Sequence, residues 1–245
     1  MNVYITDGTE NGFYTAAFFA CTDSDCLVAS QSVQLPLGAQ VCEISEDEEK
    51  CARVKKRLRQ YDGTCLNDIG LILRRDSPDK EMVALRYLRR IVRERAPVRD
   101  RRADPDVAAA LDERGKVTLE THRFTGFLRF MEGANGVWYA PFSPDNDILE
   151  LLLPHFLRRL GAQPFVIHDV RRRKAALWNG KDCVIVPTQE KVEISLSPDE
   201  DDFQALWRQY YDSVNIAQRP HEKQMKGYMP VRYWKFMPEK NPKLR

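Results

Sequence analysis

The hydrophobic rhythm of this chain changes once, near residue 124, and that change limits the folds open to it. Before it, apolar residues recur every three or four positions; after it, they alternate or come in short runs closed by Asn-Gly pairs. Over residues 78–95, Met82, Leu85, Leu88 and Val92 share one helical face, while Arg86, Arg89, Arg90 and Arg93 hold the opposite one. Further helices are expected near 13–20, 46–60, 64–75 and 105–122, the second opened by Ser45 with Glu48 in the capping-box position. Val3-Tyr4-Ile5 is a short strand closed by the Asp7-Gly8 turn, and residues 23–43 hold short extended pieces around Pro36 and Gly38.

Past the switch, Phe124 to Met131 alternates as a strand, Asn135-Gly136 turns the chain, and Val137 to Phe142 returns as the hairpin partner. Asp145 to Leu160 has acidic residues at its start and arginines at its end, matching a helix dipole. Strands are expected at 165–168, 175–178 and 183–186, the last two joined by Asn179-Gly180, then a helix from Ser197 to about 217. The sum is an α+β fold: a helical N-terminal half, a central antiparallel sheet with a packed helix, and a helical C-terminus. The 245 residues divide into a mainly helical region 1–103 and an α+β region 104–245, or form one continuous domain, with no internal repeat.

Total charge is nearly balanced at +2, but its distribution is not. Residues 1–52 carry 1 basic and 9 acidic groups, whereas residues 53–102 carry 16 basic and 7 acidic. Arginine dominates the basic block, and its planar fork suits phosphate. Such a cluster is the electrostatic footprint of a nucleic-acid binder, or else a solvated face balanced by the acidic N-terminal segment. Two further cationic stretches follow: Arg171-Arg172-Arg173-Lys174 at an expected hairpin bend, and a tail in which Arg232, Tyr233 and Trp234 mix charge with aromatic rings. Phosphate contact and base stacking would use that mixture; a charged sheet edge and a docked tail would use it too.

Several classes lose ground. No apolar run approaches the roughly 18 residues of a membrane span. The opening Met1-Asn2-Val3-Tyr4 lacks a basic leader and long apolar stretch, so a cytoplasmic protein is expected. The six cysteines include no C-x-x-C pair, so reduced thiols are expected, with no metal site and no cofactor. No phosphate-binding loop, dinucleotide fingerprint or nucleophile elbow occurs. Of the four histidines, His122, His155 and His168 lie near the expected sheet, and with Asp169 they could perform general acid–base chemistry; His221 sits in the tail.

An ordered set of stretches resembles one family. These are Tyr4-Ile5-Thr6-Asp7-Gly8 with Gly12-Phe13, His122 to Phe130, Pro154 to Arg159, Ile167 to Arg172, Tyr211 to Ile216, and Met229 to Lys235. Together they are similar to bacterial DNA metabolism or repair proteins built on the DUF4130 domain of unknown function, over almost the whole chain except residues 22–45 and 97–105. The resemblance implies two partners, DNA and a radical S-adenosylmethionine protein encoded nearby. Related domains are also fused to uracil-DNA-glycosylase-like domains. With no cysteine triplet here, radical chemistry would belong to the partner, and the family supplies no catalytic residues to carry over. The expected function is a DNA-binding accessory factor, with Arg86, Arg89, Arg90, Arg93, Arg123, Arg129, Arg171, Arg172, Arg232, Tyr233 and Trp234 on the nucleic acid. The alternatives are a nuclease- or glycosylase-type enzyme using His122, His155, His168 and Asp169, or a protein-interaction scaffold.

Overall fold

The computed structural model describes residues 1–30, 37–189, 194–214 and 222–241. The order is β1 (Asn2–Thr6), α1 (Glu10–Ala20), β2 (Cys26–Ala29), β3 (Gln40–Ile44), α2 (Glu48–Tyr61), α3 (Cys65–Leu73), α4 (Lys80–Glu94) and α5 (Pro105–Phe127). There follow β4 (Met131–Glu132), β5 (Trp138–Phe142), α6 (Leu149–Leu160), β6 (Phe165–Asp169), β7 (Lys174–Trp178), β8 (Cys183–Pro187), α7 (Glu200–Ser213), α8 (Glu222–Tyr228) and a 3₁₀ helix (Val231–Phe236). The α+β class expected from the sequence holds, with a five-stranded sheet and helices towards both ends. The chain separates into two compact units between Leu119 and Glu120, inside α5. No helix among the described residues is long and apolar enough to cross a membrane.

In the N-terminal unit, β1 lies between β2 and β3 and runs parallel to both, with Val3 opposite Leu27 and Val41. Parallel neighbours need a crossover, and α1 supplies the one from β1 to β2. Its start is set locally: Asp7 accepts the Thr9 N–H at 2.9 Å, and the Thr9 hydroxyl caps the Gly12 N–H at 2.9 Å. Gly8, at φ +81°, permits the sharp entry. The cap of α2 is Asp47, which accepts from the Lys50 N–H at 3.0 Å, rather than Ser45; the helix therefore starts at Glu48. Phe13, Tyr14, Leu58, Ile69, Leu85, Leu88 and Ile91 form the buried core of this unit. On α4 the buried stripe runs through Val83, Leu85, Leu88 and Ile91, with Met82 and Val92 at its half-buried margins.

The C-terminal unit is built on a sheet of order β4-β5-β6-β7-β8. Its one parallel pair is β5–β6, with Ala140 opposite Ile167, and α6 carries the chain across. The other pairs are antiparallel. The Asn135-Gly136 and Asn179-Gly180 turns fall where the sequence puts them, Gly136 at φ +75° and Gly180 at +96°. Of the strand expected over Phe124 to Met131, residues 124–127 are instead the last turn of α5, and only Met131 joins a strand, β4. Leu128 follows directly on the helix end, its N–H bonding Phe124 O at 3.2 Å, so Phe124 and Leu128 are both buried while Gly126 stays exposed. The Phe124 ring lies 5.2 Å from Phe142 and 4.6 Å from Tyr233, and this packing holds the 3₁₀ helix against the sheet. Leu149, Leu152 and Phe156 bury the inner face of α6. α7 ends at Ser213; the expected continuation through 215–217 and His221 lie outside the described residues.

Candidate nucleic-acid interface

The four α4 arginines occupy different electrostatic situations. The last carbonyls of α1 have no partner within their own helix. Arg89 supplies one, its guanidinium donating to Ala20 O at 2.6 Å and to Asp23 O, and lying 3.2 Å from Cys26 Sγ. Arg90 Nε is 2.9 Å from Asp106 and 3.2 Å from Asp104, and Arg86 stands 3.7 Å from Asp106. Arg93 is exposed and has no ion pair among the described residues.

These arginines line a cleft of about 470 Å³ whose floor includes Cys21 and Val92. The same two residues border a second cleft of about 400 Å³ between α1, α2 and α4, so the two clefts are neighbours. Its apolar lining includes Ala17, Phe18, Leu58 and Leu88, and its rim is Arg53, Lys56 and Arg57. All three cations are exposed, and none has a carboxylate partner among the described residues. Arg53 sits 5.1 Å from the Phe18 ring and Arg57 5.8 Å from Tyr61, so their charged heads lie over aromatic faces. Arg53, Lys56 and Arg57 belong to the basic block 53–102 but are not among the residues that the sequence assigns to the nucleic acid. Their spacing of three and four along α2 puts them on one exposed face and was the available signal.

In the C-terminal unit, the cationic stretches expected at a bend and in the tail meet at one loop. Asp169 lies fully buried at the end of β6 and accepts from the Arg172 N–H at 3.1 Å, with the Arg172 guanidinium 3.3 Å away. Burial raises the Asp169 carboxyl above the usual carboxylate range, and Arg172 opposes that shift. Arg172 also donates to Pro144 O at 3.2 Å and to Asp145 O. Arg232 pairs with the Asp145 carboxylate at 2.7 Å, and Arg171 approaches it at 3.8 Å. Beneath them Glu120, 3 % exposed, accepts from the Asp145 and Asn146 N–H groups at 2.8 Å each, from Asn146 Nδ2 at 2.6 Å and from the Tyr233 hydroxyl at 2.7 Å. Tyr233 is therefore a core residue whose ring is closed to a ligand.

The remaining arginines and Trp234 also have local partners. Arg123 donates to Gly227 O at 3.0 Å; Arg129 bonds Glu239 at 2.6 Å and stands 5.0 Å from the Trp207 ring. Trp234 is half-buried and donates its indole N–H to Met229 O at 3.1 Å.

No hydrogen bond or ring contact joins His122, His155 and His168 among the described residues. His168 is 1 % exposed with both nitrogens engaged: Nδ1 lies 2.7 Å from the Tyr139 hydroxyl and Nε2 2.8 Å from Thr188 Oγ1. Burial lowers its pKa below the usual histidine value, so the ring is held neutral. His122 is exposed on α5, and His155 packs edge-on against Phe156 at 4.9 Å with a buried Nε2 that has no partner among the described residues. The six cysteines are free thiols; burial pushes Cys65 up to about 12, which keeps it protonated and unreactive.

The fold is thus a two-unit α+β protein whose N-terminal unit carries two neighbouring clefts rimmed by cations. A family model described as a domain of unknown function, DUF4130, matches residues 78–239, and the chain belongs to that family. The match includes residues 97–105, which lie outside the stretches that carry the resemblance, and leaves out Tyr4 to Phe13, which lie among them. No curated protein and no solved structure matches the chain.

Proposed function

We propose that this protein is a DNA-binding factor of DNA metabolism or repair that acts with a radical S-adenosylmethionine enzyme. One observation carries the DNA-binding part: Arg53, Lys56, Arg57 and Arg93, without carboxylate partners among the described residues, line two neighbouring clefts that share Cys21 and Val92, the larger part of their floor being apolar. Cations left unpaired on a folded surface cost little in water and are ready to replace the counterions of a phosphate backbone. The apolar floor gives sugar and base edges a surface that a purely charged face lacks. The partner enzyme rests on the resemblance of the chain to its family. The enzyme alternative draws no support from His168, whose two nitrogens are committed to Tyr139 and Thr188.

The test is fluorescence anisotropy with single-stranded, duplex and uracil-containing DNA over a salt series. The wild type is expected to bind with a steep salt slope, and Lys56→Glu/Arg93→Glu to lose at least tenfold in affinity at low salt and about two units of slope. A double variant with the wild-type slope removes the two clefts from the reading. Absence of binding at low salt removes DNA itself, and a pull-down with the radical enzyme then decides the partner.

A further inference from the structure

The C-terminal unit holds an open cavity of about 460 Å³ formed where the end of α5, the β4–β5 strands and α7 meet. Its walls are aromatic. Phe130 and Trp138, with ring centres 6.3 Å apart, come from the sheet side, and α7 contributes Phe203 and Trp207. The α7 pair is left 57 % and 37 % exposed, a cost in water that a ligand would relieve. The Arg129 guanidinium, fixed to Glu239, lies over Trp207 and holds that ring in place.

Two polar side chains one turn apart on α7 also line the cavity: Glu200, 6 % exposed, and Gln204, 5 % exposed. Glu200 accepts from the Glu132 N–H at 2.9 Å and from Gln204 Nε2 at 3.0 Å. Among the described residues each carboxylate oxygen therefore keeps a free lone pair. The Gln204 amide oxygen has no hydrogen bond among the described residues and is not sealed from solvent. The cavity thus presents acceptors to a ligand that carries N–H donors. Arg159, in the last turn of α6, lines the same cavity, is exposed and has no ion pair among the described residues.

We infer that this cavity is a nucleobase site. An unstacked base lies against Trp207 and the neighbouring rings, turns an N–H-bearing edge to Gln204 and Glu200, and leaves its phosphate at Arg159. Flat aromatic walls select a planar heterocycle over an aliphatic chain. The acceptor pair selects a base with amino and ring N–H groups, and the cavity volume suits a single nucleotide. That the base belongs to a DNA strand rests on the DNA-binding reading; the nucleotide site itself does not.

Calorimetric titration of the full chain with GMP and, as a phosphate without a base, ribose 5-phosphate tests the site. GMP is expected to bind and ribose 5-phosphate to give no heat. Trp207→Leu and Gln204→Leu are each expected to weaken GMP at least tenfold while the salt slope for DNA stays at its wild-type value. Two variants keep the test open should one fail to fold. Equal binding of the two ligands, or GMP binding at wild-type strength in a folded variant, overturns the site. GMP binding without DNA binding upholds the site and removes the DNA reading; salt-sensitive DNA binding without GMP binding does the reverse.

Discussion

Tyr233 donates its hydroxyl to Glu120 at 2.7 Å across 113 positions of sequence, tying the 3₁₀ helix of the tail to the C-terminal half of α5. Glu120 accepts three further bonds there from the Asp145-Asn146 loop, so one buried carboxylate organises two separate chain segments. Replacing it with Ala strands four donors in a dry site. Glu120→Ala is expected to cost about 3–5 kcal/mol in urea unfolding, and Tyr233→Phe, which strands a single acceptor position, about 1–2. Equal losses for the two would show that Glu120 is not the organising group.

Arg89 and Arg93 lie one turn apart on α4 but are expected to fail in different assays. Arg89 is fixed to the end of α1, so Arg89→Ala should lower stability by about 2 kcal/mol. Arg93→Ala removes an exposed cation and should leave the unfolding midpoint within experimental error while weakening DNA binding at low salt. Thermal unfolding and anisotropy on both variants separate the roles.

His168 should give the protein an acid sensitivity. Its folded pKa lies below the unfolded value near 6.5, so below that pH the unfolded chain takes up a proton that the folded one refuses. Stability then falls as pH drops through 6.5 towards the lowered folded pKa, by at most one proton's worth, about 1.4 kcal/mol per pH unit. Asp169 next to it shifts the other way: its raised carboxyl contributes stability below about 3.8 that is lost as pH climbs to its folded value. Urea unfolding at pH 7.5, 6.5 and 5.5 should show the His168 slope in the wild type and a flatter profile in His168→Gln. The same slope in both would assign it to another group.

Two glycines predict opposite signs. Gly115 sits inside α5 with open space where a Cβ would go, so Gly115→Ala should stabilise by about 0.5–1 kcal/mol. At Gly180 the backbone is at φ +96° and a Cβ would stand 2.7 Å from Ala162 O, so Gly180→Ala should destabilise by more than 1 kcal/mol. Melting temperatures of the two variants check both.

Local signals carried most of the element order. The α4 stripe, the Asn-Gly turns and the short apolar runs of β6 to β8 are all decided by near neighbours in sequence. What escaped depends on distant partners. Nothing around Val3 announces that it will pair with Leu27 and Val41 in a parallel sheet, because register is set by the strands it meets. Phe124, Gly126 and Leu128 satisfy period two and period four together, and only packing on Phe142 and Tyr233 settles the ambiguity for the helix. The site shows the same limit. The basic block was legible as composition, but which arginines are committed depends on Asp104, Asp106 and the end of α1, all brought in by the fold. The rings of the aromatic cavity lie between residues 130 and 207, too far apart to be read as a motif.

The position of β1 at the centre of the N-terminal sheet has a consequence for how that unit is made. The strand synthesised first has no partner until residues 26–29 and 40–44 have followed it, so the sheet closes outward from its oldest member. Until then the apolar Val3 and Tyr4 side chains wait exposed, which is the interval in which a nascent chain is open to chaperones and to misassociation. Deleting Asn2–Thr6 would accordingly take away the strand with which both β2 and β3 pair.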